Sequence, residues 1–570
     1  MTTPTSQASR SPLVALPAAL SIFFVVSVTD TATTQRLFVA TTYYLLMATV
    51  LSWAGTYLHV ARGLDREAMV AWVKENWRGL VVALAVTAIA GFAVEPALRV
   101  LSDEANLVGT SKNLFASKTA TFTISGKNYY DSYWDIDVAI DRRPTLFPFL
   151  VSLVHTVCGY SYENVFLFNL LVLAAFVFVS YRLGKSLGGE TFAVVASLLV
   201  AAHPITLIAA RSGGFDLFAT FFGLLVIKSL HDYLRDPSPG KLAILWMNLC
   251  MLAEIRYETA LFIPLTLVLL LVFKSITWSA LKPYAFVYAL TPAYLIPRIW
   301  QAILRGNVPE QEPGAITFSL ENFVNNAHEY FQPILSPTKA FPAHSAIVIA
   351  LGVLGCLHGM RWLARRVQAR DWKGHELRFA FFVCAWMLLQ TIIVFSYVWG
   401  RAQYPSAARL AIAIDTFFSF AAAWILTLLL ARWRSFVAVL FALAVLAIEL
   451  PVASQHRMMN RLTQTRESRA TWSFFERLNE KRILVVTDRP NHFTIMNYGA
   501  MTFQTARSDP YLFAAFARHL FHDIYVIQQI KLSTGEPLTG YEIWPDRKLD
   551  PVLEFQNDAD VLVRVSRVVR

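Results

Sequence analysis

The sequence predicts a polytopic α-helical membrane protein that carries a small C-terminal α/β domain. Three observations predict it. The 570 residues are 56% hydrophobic and only 16% charged, too little charge to clothe a water-soluble enzyme of this length. Long apolar runs recur as far as residue 451, most of them near the roughly 20 residues that cross a bilayer. From about residue 455 the runs shorten and take on strand and helix periods. Four cysteines in this length exclude a disulfide framework. Cys158, Cys250, Cys356 and Cys384 all lie in apolar segments and read as small packing residues.

About thirteen segments meet the spanning criterion. In order they are 12–29, 37–60, 79–98, 163–183, 190–208, 215–234, 240–255, 258–274, 281–300, 343–361, 378–398, 407–431 and 434–451. The first is longer than a signal-peptide core and has only Arg10 before it, so it reads as an uncleaved anchor. Residues 1–78 form an N-terminal hairpin, 79–454 the main membrane domain, and 455–570 an extracytoplasmic α/β domain. Within that last domain, 482–487, 523–527 and 560–565 read as strands, with helical pattern between them.

The net charge of +11 sorts by side. With the N-terminus in the cytoplasm, the short inner loops collect Arg62, Arg66, Lys74 and Arg78, then Arg182 and Lys185, Lys228, Arg235 and Lys241. They also hold the dense run from Arg361 to Arg378, and Arg432 with Arg434. This is the bias of cytoplasmic loops, so the excess charge calls for no nucleic acid. Three long segments, 99–162, 301–342 and 452–570, then face outward. The apolar stretch 145–160 is too short to span and reads as an interfacial helix.

The first outer loop holds the chemistry. Asp103 and Glu104 follow the third span directly, and the loop closes on Asp141-Arg142-Arg143-Pro144. A carboxylate at the membrane–water boundary can act as a general base on an acceptor while a lipid-borne donor stays in the bilayer. Arginines at that level can fork onto a phosphate. Glu104 serves equally well as a helix-start carboxylate, and Arg142 as a partner of Asp141. Asp135 and Asp137 offer hard oxygen ligands but are weak metal candidates. His155 and His203 sit in apolar surroundings with no partner at metal spacing, so they read as packed or interfacial. Segment 301–342 has Pro309, Pro313, Pro333 and Pro337 and reads as a possible lid.

The order of these motifs resembles the GT-C glycosyltransferases, and within them the protein O-mannosyltransferases and lipid A aminoarabinose transferases. The likeness runs from a span followed by Asp103-Glu104-Ala105, through a basic-Pro motif opening an interfacial helix, to a long span. It continues in Ala209-Ala210-Arg211-Ser212-Gly213-Gly214-Phe215-Asp216, in Leu252 to Glu258, and in Ala402-Gln403-Tyr404-Pro405 with Arg409. Two features depart from the family pattern: a hairpin precedes the span before Asp103, and Arg143-Pro144-Thr145 stands where the relatives often have Lys-Pro-Pro.

The resemblance implies inverting transfer of a monosaccharide from a polyprenyl-phosphate donor, outside the cell's inner membrane. By it, Asp103 is the base and Glu104 orients it. Arg143, Arg142, Arg256, Arg409 and Arg211 hold donor phosphate, and Asp216, Tyr404 and Glu258 support the substrate. No cofactor is expected, and a divalent metal is not favoured. The partners are the lipid-linked donor, membrane lipids and an unspecified acceptor. An oligosaccharyl or polymer transferase with a diphosphate donor is the enzymatic alternative. A transporter or flippase would need repeats and intramembrane charges such as Asp415 and Glu449. A non-catalytic scaffold would leave the Asp-Glu and Arg-Pro motifs unexplained.

Overall fold

The computed structural model describes residues 20, 22–23, 26–27, 30–62, 66–129, 132–305, 316–337, 341–369, 374–430, 435–454 and 463–569. Most of the expected first span, 12–29, lies outside these residues, as do Pro309, Pro313, Arg432 and Arg434. The chain divides into two compact units: residues 1–96, 142–147 and 166–456 form one, and 97–141, 148–165 and 457–570 the other.

The first unit is helical, and the protein is an integral membrane protein. Eight of its described helices are long and apolar enough to cross a bilayer, including Thr31–Ala61, Arg66–Ala93, Asp216–Arg235, Ala346–Gln368 and His375–Ser396. Two shorter apolar helices, Pro239–Ala253 and Glu258–Val272, correspond to expected spans. At 38 residues, Asn164–Ala201 is about 57 Å long at 1.5 Å per residue, too long for one crossing. It breaks at Gly188-Gly189, where Gly189 has φ 77° and ψ −168°, a backbone open essentially to glycine alone. The break matches the two spans expected there.

The expected span 281–300 differs from expectation. It is a chain of short helical pieces, divided at Pro283, Pro292 and Pro297, because each proline removes a backbone donor and crowds the preceding turn. Helices Ala346–Gln368 and Ile412–Leu429 pack closely at Gly352 and Gly355, where a Cβ would overlap Phe418 and the Ala421 carbonyl.

The second unit is built around a seven-stranded sheet. Its strands are β1 (Phe122–Tyr129), β2 (Ser132–Ala139), β3 (Ile483–Val486), β4 (Gly499–Met501), β5 (Asp523–Lys531), β6 (Leu549–Asp558) and β7 (Val561–Val568), in the order β2-β1-β4-β3-β5-β7-β6. β3 runs parallel to both its neighbours and the other pairs are antiparallel. Leu484, Val486, Met501, Phe516, Phe521 and Val526 form the core under it.

The three strands read from the tail are β3, β5 and β7. The sheet also recruits β1 and β2 from the segment 99–162, which is expected to belong with the membrane domain. Gly126 pairs with Ala500, and the buried Lys127 ammonium meets the Asp509 carboxylate. Lys112 Nζ donates to the Thr494 carbonyl at 2.7 Å. A buried cation in the loop and an acid in the tail, far apart in sequence, explain why chain order alone misplaces this boundary. The short helix Leu146–Cys158 is about 20 Å long, below the bilayer thickness, in line with its reading as a non-spanning element.

Candidate active site

In the helical unit, one carboxylate gathers two arginines. Asp216 opens the Asp216–Arg235 helix and is 5% exposed. The turn before it is set by Asn169, whose amide donates to the Ser212 and Gly214 carbonyls at 2.7 and 2.8 Å. Asp216 Oδ1 accepts from Arg256 Nη1, and Oδ2 lies 3.1 Å from Arg409 Nη1. Arg256 Nε donates to Glu258 Oε1 at 2.5 Å. Burial works against the Arg256 charge, but Glu258 and Asp216 outweigh it and hold its pKa above the ordinary arginine value.

These four side chains line a cavity of about 1120 Å³. Its walls are otherwise largely apolar, with Phe262, Trp386, Met387 and Phe418 among them. The cavity follows the Asp216–Arg235 helix as far as His231, about 22 Å at 1.5 Å per residue, and reaches His375 and Glu376. The arrangement suits an amphiphile: an anionic head on guanidiniums and a long apolar body between helices.

The other predicted residues divide. The Arg142–Arg143 backbone is tied to the same turn, since Tyr257 Oη donates to the Arg142 carbonyl at 2.6 Å and the Gln301 amide donates to that of Arg143. The Arg298 guanidinium lies over the Tyr257 ring at 5.1 Å. Arg211 Nε donates to the Val94 carbonyl at 3.1 Å, and neither it nor the exposed Tyr404 lines the cavity. Glu254, two residues before Arg256, is buried. It accepts from the Arg298 backbone N–H at 3.2 Å.

In the sheet unit, Asp103 and Glu104 occupy the first turn of the Leu101–Ala116 helix. Glu104 is buried, and its Oε2 accepts from the Arg99 N–H at 2.8 Å, the work of a helix-start carboxylate. Asp103 is half-buried, with Ser102 Oγ donating to it at 3.3 Å. Asp135 Oδ1 accepts from Thr123 Oγ1 at 2.6 Å, and no metal-holding group forms around Asp135 and Asp137 among the described residues. His155 is packed, as expected. Burial pushes its pKa down to about 4, and its ring nitrogens meet Ser111 and Asn164.

Sequence reasoning missed two things. Arg298 carries no motif, although it lies on a strongly one-sided helix. His203 does have partners: its Nδ1 lies 3.5 Å from Asp415 Oδ1, and His344 Nδ1 lies 2.8 Å from Oδ2. The three residues are so far apart in sequence that no spacing rule could join them.

Residues 142–300 match the family model of dolichyl-phosphate-mannose-protein mannosyltransferases. Among solved structures, the chain is similar to ArnT from Cupriavidus metallidurans in complex with undecaprenyl phosphate. The identity is 14% and the TM-score 0.51, over 86% of this chain and 98% of that one. Apo ArnT from the same organism gives 14% identity and a TM-score of 0.53, over 87% and 98%. No curated protein matches the sequence.

The fold is thus that of the GT-C membrane glycosyltransferases. The stretch that matches the mannosyltransferase family model includes Arg143, Asp216, Arg256 and Glu258.

Proposed function

We propose that the protein moves a monosaccharide from a polyprenyl-phosphate donor to an acceptor on the extracytoplasmic face of a bacterial inner membrane, with its N-terminus in the cytoplasm. The observation that carries this reading is the long apolar cavity ending on Asp216, Arg256, Glu258 and Arg409. The complex of ArnT with undecaprenyl phosphate supports the same class of carrier.

The donor's isoprenoid chain lies along the cavity and its phosphate competes with Asp216 for the two guanidiniums. The cluster is neutral by itself, with two acids and two arginines, so Asp216 keeps both cations in place until the phosphate arrives. Arg143, on its anchored backbone, adds a further cation. The Asp103 carboxylate takes the proton from the acceptor. The acceptor's heteroatom bonds to the anomeric carbon as the bond from that carbon to phosphate oxygen breaks. The electron pair leaves with the lipid phosphate, whose charge the arginines stabilise, and the anomeric centre inverts.

The test is turnover of a polyprenyl-phosphate sugar by the full chain in proteoliposomes. Asp103→Asn should fold and lose at least a hundredfold in rate, about the low end of general-base catalysis. Unchanged turnover in that variant would remove Asp103 as the base.

A further inference from the structure

A second cluster lies in the helical unit and shares no residue with the acids and arginines above. His203 caps the start of the Pro204–Ala209 helix, His344 precedes the Ala346–Gln368 helix, and Asp415 sits in the first turn of Ile412–Leu429. All three are buried, at 0%, 3% and 1% exposure. One ligand atom from each lies within 4.8 Å of the other two. Tyr330 Oη donates to Asp415 Oδ1 at 2.8 Å and fixes the carboxylate from the far side.

The contact between His203 and Asp415 has no hydrogen-bond donor on the imidazole side. His203 Nδ1 accepts from the Ser345 backbone N–H at 3.2 Å, so it has no proton to donate to Asp415 Oδ1, which lies 3.5 Å away. The Nε2 atoms of His203 and His344 are both buried without a hydrogen-bond partner. Two imidazoles and one carboxylate in a buried site are a donor set that zinc and its neighbours in the first transition row prefer.

We propose that His203, His344 and Asp415 bind one divalent transition-metal ion through the imidazole Nδ1 atoms and the carboxylate. The Ser345 N–H bond to His203, already long, gives way to the metal. The ion joins three separate stretches of chain: the turn after Asn164–Ala201, the segment entering Ala346–Gln368, and the first turn of Ile412–Leu429, where Asp415 follows Arg409 by six residues. Its role is to fix these segments. The inference does not depend on the transfer reaction.

Metal analysis of the full-length protein in detergent, after incubation with Zn²⁺ and removal of excess, tests it. Wild type should retain one ion per chain, and His203→Ala/His344→Ala should lose it. X-ray absorption of the Zn²⁺-loaded wild type needs no variant. It should show nitrogen and oxygen ligands at about 2.0–2.1 Å, with scattering from two imidazoles. Wild type that retains no Zn²⁺, a double variant that retains it fully, or a ligand shell with fewer than two imidazoles would each overturn the proposal.

Discussion

Asp216 Oδ2 stands 3.1 Å from Arg409 Nη1, which joins the start of one apolar helix to the short turn that begins another. The same carboxylate also holds Arg256, so one acid of about 5% exposure positions both cations at the end of the cavity. Removing its charge leaves two guanidiniums facing each other in a largely dry setting. Asp216→Asn should therefore lower stability by roughly 3–5 kcal/mol, the usual cost of breaking a buried pair. Thermal unfolding in detergent measures it, and an unchanged midpoint would show that the cluster adds nothing to the fold.

Tyr257, next to Arg256, donates its hydroxyl to the Arg142 carbonyl at 2.6 Å. Tyr257→Phe keeps the ring under Arg298 and removes the hydroxyl that makes this bond. Its loss, about 1 kcal/mol, should raise the donor KM about fivefold and leave kcat nearly unchanged. Steady-state kinetics with varied donor would check this, and a fall in kcat alone would assign Tyr257 to a different step.

Gly189 makes the turn that divides one long helix into two, and no atom stands within 4 Å of where its Cβ would lie. Any penalty for Gly189→Ala is therefore conformational, from φ 77° with ψ −168°. The expected loss is about 1–3 kcal/mol, read from the unfolding midpoint. An unaffected midpoint would mean that the turn relaxes freely.

Lys112 is buried, with Nζ 3.8 Å from the centre of the Tyr133 ring. Burial pulls its pKa down from 10.5 to about 8, with Asp135 opposing. The unfolded chain thus binds this proton more tightly than the folded one. The penalty is complete below pH 8 and fades as the pH approaches 10.5. Wild type should gain stability relative to Lys112→Met by about 3 kcal/mol over that range. Denaturation midpoints of both proteins across pH would show it, and a constant difference would contradict it.

Much of the membrane architecture was legible from hydropathy, because spanning helices must be long and apolar whatever their neighbours are. The Gly188-Gly189 break was legible for the same reason. The proline-divided stretch 281–300 was not, since its apolar content passes for a span while its backbone cannot form one helix. Asp216, Arg256, Glu258 and Arg409 were named from motif order, and the fold brings all four to one cavity. The same motifs nominated Tyr404 and Arg211, which lie outside its lining. The grouping of β1 and β2 with the tail, and of His203 with His344 and Asp415, rests on tertiary contacts that leave no periodic trace in the chain.

The central claim is that Arg256 and Arg409 hold the phosphate of a lipid-linked donor whose chain lies along the cavity. Binding of undecaprenyl phosphate to the full-length protein in detergent, titrated by native mass spectrometry, tests it most directly. Wild type should bind one lipid, and Arg256→Gln/Arg409→Gln should bind it at least tenfold more weakly, the loss of about 1.4 kcal/mol or more. Equal affinity of the two proteins, or no binding by wild type, would contradict the account.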